Sequence, residues 1–182
     1  MGLRNIKDYK MRVRPDGESV GQASPFNVIT KVLPMRLFSE AEMRSLYAQH
    51  TAETGQVFEE GALTEAYRLS CGQPYLVNAL ARWCVEEIHH DDYTQPITAA
   101  DMAEAKEGII RERVTTLNSI QKRLNEKWMR RALGLIGRMV GSAEDDRNAV
   151  SLAFAHGVVV ERDGVLDYSC PIVKELVDKY GR

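Results

Sequence analysis

From Ser39 onward, apolar residues recur at helical spacing for about a hundred positions, until one Asp-Gly pair, Asp163-Gly164, stands between two short valine-bearing runs. A chain patterned this way is predicted to be mainly α, with helices packed on helices and one β-hairpin. Ser39 and Glu42 make a capping box ahead of Met43, Leu46 and Tyr47, and Gly55 marks that helix's end. A second helix is expected from near Glu59 to Cys71, with Ala62, Leu63, Ala66 and Leu69 facing inward and Gly72 as the left-handed residue that ends it. Pro74 sits where a helix tolerates proline best, in the first turn of a third helix carrying Leu76, Val77, Leu80, Ala81, Cys84, Val85 and Ile88. Together these helices make a small bundle.

Thr98 and Asp101 open the next helix by the same cap logic. Its periodic residues Met102, Ala105, Ile109, Val114, Leu117, Ile120 and Leu124 predict a long linking element bent near Gly108. Trp128 to Val140 is apolar on one face (Met129, Ala132, Leu133, Ile136, Val140) and basic on the other (Arg130, Arg131, Arg138), and Gly141-Ser142 breaks it. Glu144 to His156 reads as a short helix. Val158-Val159-Val160 and Val165-Leu166-Asp167-Tyr168 read as a hairpin, because Asp163-Gly164 supplies the positive φ angles a tight turn demands. Pro171 then starts a last helix through Ile172, Val173, Leu176 and Val177. Helix, helix, two-stranded wing and helix is the order of a winged-helix domain.

The first 34 residues are the least self-sufficient. Arg4, Lys7, Lys10, Arg12 and Arg14 precede a Pro15-Asp16-Gly17 turn signal and a loop through Gly21 and Pro25, which reads as a connector. Phe26 to Leu33, with Val28, Ile29, Thr30 and Val32, suits a strand that Pro34 ends or edges. One strand cannot pair both its edges alone, so it is expected to pack on the following helices or to drive self-association with another chain.

The 182 residues are 44% hydrophobic and 27% charged, enough for one domain or two small ones with a real core. A formal charge of -2 excludes a global field drawing the chain to nucleic acid or anionic lipid, so any basic surface must be local. Cys71, Cys84 and Cys170 are odd in number, far apart and without a Cys-x-x-Cys pair, which argues against a disulfide framework and a zinc site and suits a reducing cytoplasm. No stretch approaches the roughly 20 apolar residues of a membrane helix, and the N-terminus lacks a signal-peptide core. No membrane partner is expected.

Five segments carry a resemblance: Gly2-Leu3-Arg4-Asn5-Ile6-Lys7-Asp8-Tyr9; Ser24-Pro25-Phe26-Asn27-Val28; Leu37-Phe38-Ser39; His50-Thr51-x-x-Thr54-Gly55-Gln56-Val57-Phe58; and Gly72-Gln73-Pro74-Tyr75-Leu76-Val77-Asn78-Ala79-Leu80. Together they resemble the C-terminal half of a bacterial AAA-like ATP-binding protein, with STAND-class and archaeal-type P-loop ATPases as broader relatives. The resemblance implies that residues 1–38 are a remnant of the ATPase sheet, 39–92 the helical lid bundle, 93–126 a linking helix and 127–182 a winged-helix-like domain. It further implies that Gly72, Gln73 and Pro74, with Tyr75 beside them, pack against adenine, and that Ser169-Cys170-Pro171-Ile172-Val173 starts the family's last helix.

The departure from that family is large. A phosphate cradle needs a Gly-rich loop ending in Gly-Lys-Ser/Thr, and neither that loop nor the Asp-Glu pair that positions magnesium and water occurs. No hydrolysis is expected from this chain alone, no catalytic residue is assigned, and ATP and Mg enter only if another nucleotide-binding half supplies the pocket. A reading frame that begins late would leave the same pattern.

Each motif has a plainer reading. Gly72-Gln73-Pro74 is equally a helix end followed by an N-terminal proline. Arg4 stands where related ATPases sense a γ-phosphate, since a guanidinium grips phosphate oxygens in a fork, but a solvated arginine is the preferred reading. His89-His90-Asp91-Asp92 offers metal-ligand types, yet neighbours on a helix diverge by about 100° and do not converge on one ion, so a solvated helix end is expected and no metal. Cys84 reads as a small core residue, and no Ser-His-Asp arrangement has recognisable context.

Winged helices often read DNA, but the helix at Glu144-Asp145-Asp146 presents three carboxylates to a phosphate with only Arg147 and His156 to compensate, and the wing sets Arg162 between Glu161 and Asp163. Lys122, Arg123, Lys127, Arg130 and Arg131 form the better cationic candidate, though such a run is usually a solvated face. Two functions therefore stand: a regulatory or protein-interaction module closing over nucleotide held by a protein partner, and, as the alternative, a DNA-binding winged-helix protein.

Overall fold

The structure is a computed structural model that describes residues 36–112, 115–139 and 144–181. Ser39 and Glu42 form the expected capping box, the Ser39 N–H donating to the Glu42 carboxylate at 2.8 Å, and start α1 (Glu40–Thr54). Gly55 closes α1 in the left-handed region. Met43 and Tyr47 point into the core, where the Tyr47 ring stacks on Phe58 at 4.5 Å and its hydroxyl donates to the Val77 carbonyl at 2.7 Å.

Helix α2 (Glu60–Ser70) buries Ala62, Ala66 and Leu69. It ends in two successive left-handed residues, Cys71 at φ 47° and Gly72 at φ 73°, whereas the sequence reading gave that conformation to Gly72 alone. Pro74 occupies the first turn of α3 (Pro74–Arg82), as expected of a residue without an N–H. From Trp83 to Ile88 the helix continues as a π-helix, the His89 N–H reaching back five residues to the Cys84 carbonyl at 3.0 Å. Two extended stretches also meet in a short parallel bridge, Phe58 with Ile97.

Thr98 and Asp101 cap α4 (Ala99–Arg111) with the second capping box. Helix α4 continues through Gly108 to Arg111, and a Cβ at Gly108 would lie 2.2 to 2.6 Å from Trp83 ring atoms. Gly108 is the seat of an indole. Met102, Ala105, Ile109 and Ile110 are buried, and α4 packs on α2 and α3, so this half of the predicted linking segment is built into the bundle. The helical run resumes as α5 (Thr115–Gln121).

Helix α6 (Lys127–Leu133) stops well before Val140, the end anticipated from periodicity. Gly134 and Gly137 weaken the helix, Gly137 adopts φ 79°, and its N–H donates to the Leu166 carbonyl at 2.8 Å. Met139 then bridges Val165, giving the hairpin an extra rung on its second strand. The anticipated break at Gly141-Ser142 lies outside the described residues.

Helix α7 (Glu144–Ala155) packs on α6 and leads into β1 (Val159–Arg162) and β2 (Val165–Tyr168). The strands pair antiparallel in the register Val159 to Tyr168 through Arg162 to Val165, and Asp163 and Gly164 both take positive φ, as the tight turn requires. Helix α8 (Pro171–Tyr180) buries Ile172, Val173, Leu176 and Val177 against α2, α4, α5 and β2.

The architecture is thus mainly α: a small helical bundle followed by a winged-helix-like unit with one hairpin. A single apolar core runs from Met43 in α1 to Val177 in α8. The strand expected at Phe26 to Leu33 lies outside the described residues. Among the described residues no helix is long and apolar enough to cross a membrane.

Candidate functional site

The turn from Cys71 to Tyr75 is where the bundle meets the hairpin. The Ser70 hydroxyl donates to the Ala66 carbonyl at 2.7 Å and accepts the Gly72 N–H at 3.2 Å, which helps hold the end of α2 in its left-handed path. A Cβ at Gly72 would lie 2.1 Å from the Phe38 carbonyl oxygen, and the Phe38 N–H donates to the Gly72 carbonyl at 2.8 Å. Glycine is required here by the chain's own approach as well as by φ. Tyr75 and Leu37 remain 40% and 46% exposed, leaving an apolar rim beside the turn.

Two polar links join this turn to the hairpin's ends. Gln73 Nε2 donates to the Gly157 carbonyl at 3.3 Å, and the same carbonyl accepts the Ser169 hydroxyl at 2.6 Å. The Arg162 guanidinium donates to the Asp167 carboxylate, to the Tyr168 and Ser169 carbonyls at 3.2 Å each, and to Cys71 Sγ at 3.8 Å. The sequence reading set Arg162 between Glu161 and Asp163; its carboxylate partner is Asp167 on the opposite strand.

Burial pushes the Cys71 thiol up despite the neighbouring guanidinium, and pushes Cys170 up to about 11 and Cys84 up to about 12. All three cysteines are free thiols, protonated near neutral pH, and none is an activated nucleophile. Arg4 lies outside the described residues.

The cationic candidates sit on α6 and the turn before it. Arg123 pairs with Glu126 at 3.2 Å, Arg130 donates to the Asn125 side-chain oxygen at 2.9 Å, and Arg131 pairs with Asp146 of α7. Lys122 and Lys127 are exposed and make no ion pair among the described residues. His156, named as a compensating charge, is instead buried and stacked on Trp128 at 5.4 Å.

His89, His90, Asp91 and Asp92 diverge. His89 Nε2 faces the Asp101 carboxylate at 3.3 Å, Asp92 accepts from the Thr94 N–H and hydroxyl, and His90 and Asp91 take positive φ. Among the described residues no group of three or more His, Cys, Asp or Glu is placed to hold a metal.

Periodicity did not reveal an open groove of about 430 Å³ between α1 and α3, floored by Tyr47, Phe58, Ala81 and Val85 with His50 at its side. Beside it, Gln56 is buried, its Nε2 donating to the Gln95 carbonyl at 3.0 Å and the Asp92 carbonyl at 3.4 Å. That orients Gln56 Oε1 toward His50 Nε2, 2.9 Å away, so this imidazole nitrogen carries the proton. The signal for this network was the Thr54-Gly55-Gln56 run, where a polar residue follows a helix stop. Comparison of the chain with protein-family models, with curated proteins and with solved structures found no match.

Proposed function

We propose that this chain is the lid and winged-helix portion of an AAA-like nucleotide-binding assembly, acting in the cytoplasm as a regulatory or protein-interaction module. It closes over a nucleotide whose phosphates another polypeptide or segment holds, and it does not hydrolyse that nucleotide by itself. The observation that carries this reading is the Cys71 to Tyr75 turn. Its proline opens a helix, Tyr75 stands exposed beside it, and its glutamine and cysteine touch both ends of the hairpin. A base on this turn would thus sit against the joint between the two halves of the fold, which suits a module that reports occupancy to a protein partner.

Photolabelling with 8-azido-ATP tests it. Modification is expected in the peptide spanning residues 71–82, and labelling elsewhere, or none in the presence of a phosphate-binding partner, overturns the reading. The second reading is duplex DNA binding through Lys122, Lys127 and Arg130, favoured by the exposure of Lys122 and Lys127 without ion pairs. Fluorescence anisotropy over a salt series decides it: absence of binding at low salt removes it.

A further inference from the structure

The Gly157 carbonyl can only accept hydrogen bonds, so Gln73 must turn its amide nitrogen toward it and its Oε1 away. Oε1 makes no hydrogen bond among the described residues, and the Gln73 side chain is only half-buried. With one N–H committed to Gly157, a second N–H and Oε1 remain on the amide, and when the N–H trans to Oε1 is the one that serves Gly157 these two make a donor-acceptor edge. That edge matches the amino group and ring nitrogen N7 of adenine, the pairing by which Asn and Gln side chains read adenine in DNA. Guanine offers two acceptors there, O6 and N7, and would set O6 against Oε1.

Resting on the reading of this turn as a base-facing surface, we propose that Gln73 selects adenine over guanine. Gly157 before β1 and Ser169 after β2 hold the Gln73 amide in the selecting orientation. Tyr75, two residues along, supplies an exposed aromatic face for the ring. The winged-helix-like unit therefore contributes to base selection without touching the base, by fixing the amide that does.

The experiment is a heteronuclear NMR titration of the 182-residue chain with adenosine, guanosine and N6,N6-dimethyladenosine, repeated with Gln73→Met and Ser169→Ala. Adenosine should shift the amide resonances of residues 72–76 with a Kd about five- to a hundredfold below that of guanosine. Dimethylation, which removes the amino donors, should erase that advantage in the unsubstituted chain. Gln73→Met should bring adenosine and guanosine together, and Ser169→Ala should narrow the gap. Equal affinity for the two nucleosides, or a preference that survives Gln73→Met, overturns the role of Gln73 while leaving a base at the turn. No response at residues 72–76 to any nucleoside overturns this inference, while the base-facing reading itself stands or falls on the photolabelling with a phosphate-binding partner.

Discussion

Replacing Gly108 with alanine sets two effects of known size against each other. Alanine is about 1 kcal/mol better than glycine in a helix interior, so on backbone grounds alone the substitution stabilises α4. Against that, the new methyl carbon would sit 2.2 Å from Trp83 Cε2 and 2.3 Å from Cζ2. Carbon atoms rest about 3.5 to 4.0 Å apart, so the indole or the helix must give by well over an ångström. Trp83 is only 8% exposed, so such a shift must displace its buried neighbours or push the ring toward solvent. Overpacking of this kind costs about 1 to 3 kcal/mol or more, and partial expulsion of the indole adds lost burial at about 25 cal/mol per Å². The clash should win, for a net loss of about 1 to 3 kcal/mol, or a Tm drop of about 3 to 10 °C in a chain this size. Urea unfolding followed by far-ultraviolet circular dichroism measures it. In a Trp83→Leu background, which removes the clashing ring atoms, the same glycine substitution should become neutral or stabilising. A Gly108→Ala protein more stable than the parent, or an equal cost in both backgrounds, would refute the packing role of Gly108.

Gly72→Ala combines a positive φ with a Cβ 2.1 Å from the Phe38 carbonyl oxygen, and should cost about 2 kcal/mol or more by thermal denaturation; an unchanged Tm would contradict the close approach. Tyr47→Phe should cost about 1 kcal/mol through the lost bond to the Val77 carbonyl, read from the urea midpoint. Burial raises the Asp101 pKa, but donation from the Thr98 N–H and hydroxyl and from His89 outweighs it and holds the carboxyl below its usual range. Its contribution to stability is therefore present above the unfolded carboxylate pKa of about 3.9 and is lost as pH falls through the lower folded value. Asp101→Asn should reduce the acid-side loss in urea midpoint, and parallel declines in the two proteins would count against it. Of the three thiols, Cys71 alone is partly exposed, so dithionitrobenzoate should react with one cysteine in the native protein and with three in denaturant; rapid native reaction of all three would contradict the burial of Cys84 and Cys170.

What was legible in the sequence was what neighbours decide. Ser39 with Glu42, Thr98 with Asp101, Pro74, Pro171 and Asp163-Gly164 each act through atoms a few residues away, and each behaves as its local chemistry predicts. What was hidden depends on distant partners. The packing role of Gly108 was hidden because Trp83, which needs its missing side chain, lies on another helix. Helix α6 read as running to Val140 because nothing local announces that Gly137 will pair with Leu166. The same holds at the candidate site. The Gly72-Gln73-Pro74 segment stands out by composition, but its tie to Gly157 spans 84 positions, and no spacing rule reaches that far.

The widened stretch from Trp83 to Ile88 has a bearing on how chains of this kind can differ in length. Each residue of an ordinary α-helix advances about 100° around the axis, but this stretch already carries one residue more than an α-helix would, so deleting one would tighten it to ordinary α-helix with His89 still facing Asp101. Likewise, an additional residue here is absorbed as girth rather than as a slip of the far end, leaving both flanking caps in place. Single-residue gaps between homologous chains should therefore collect between Trp83 and Ile88, while the spacing from Ser70 to Arg82 stays fixed.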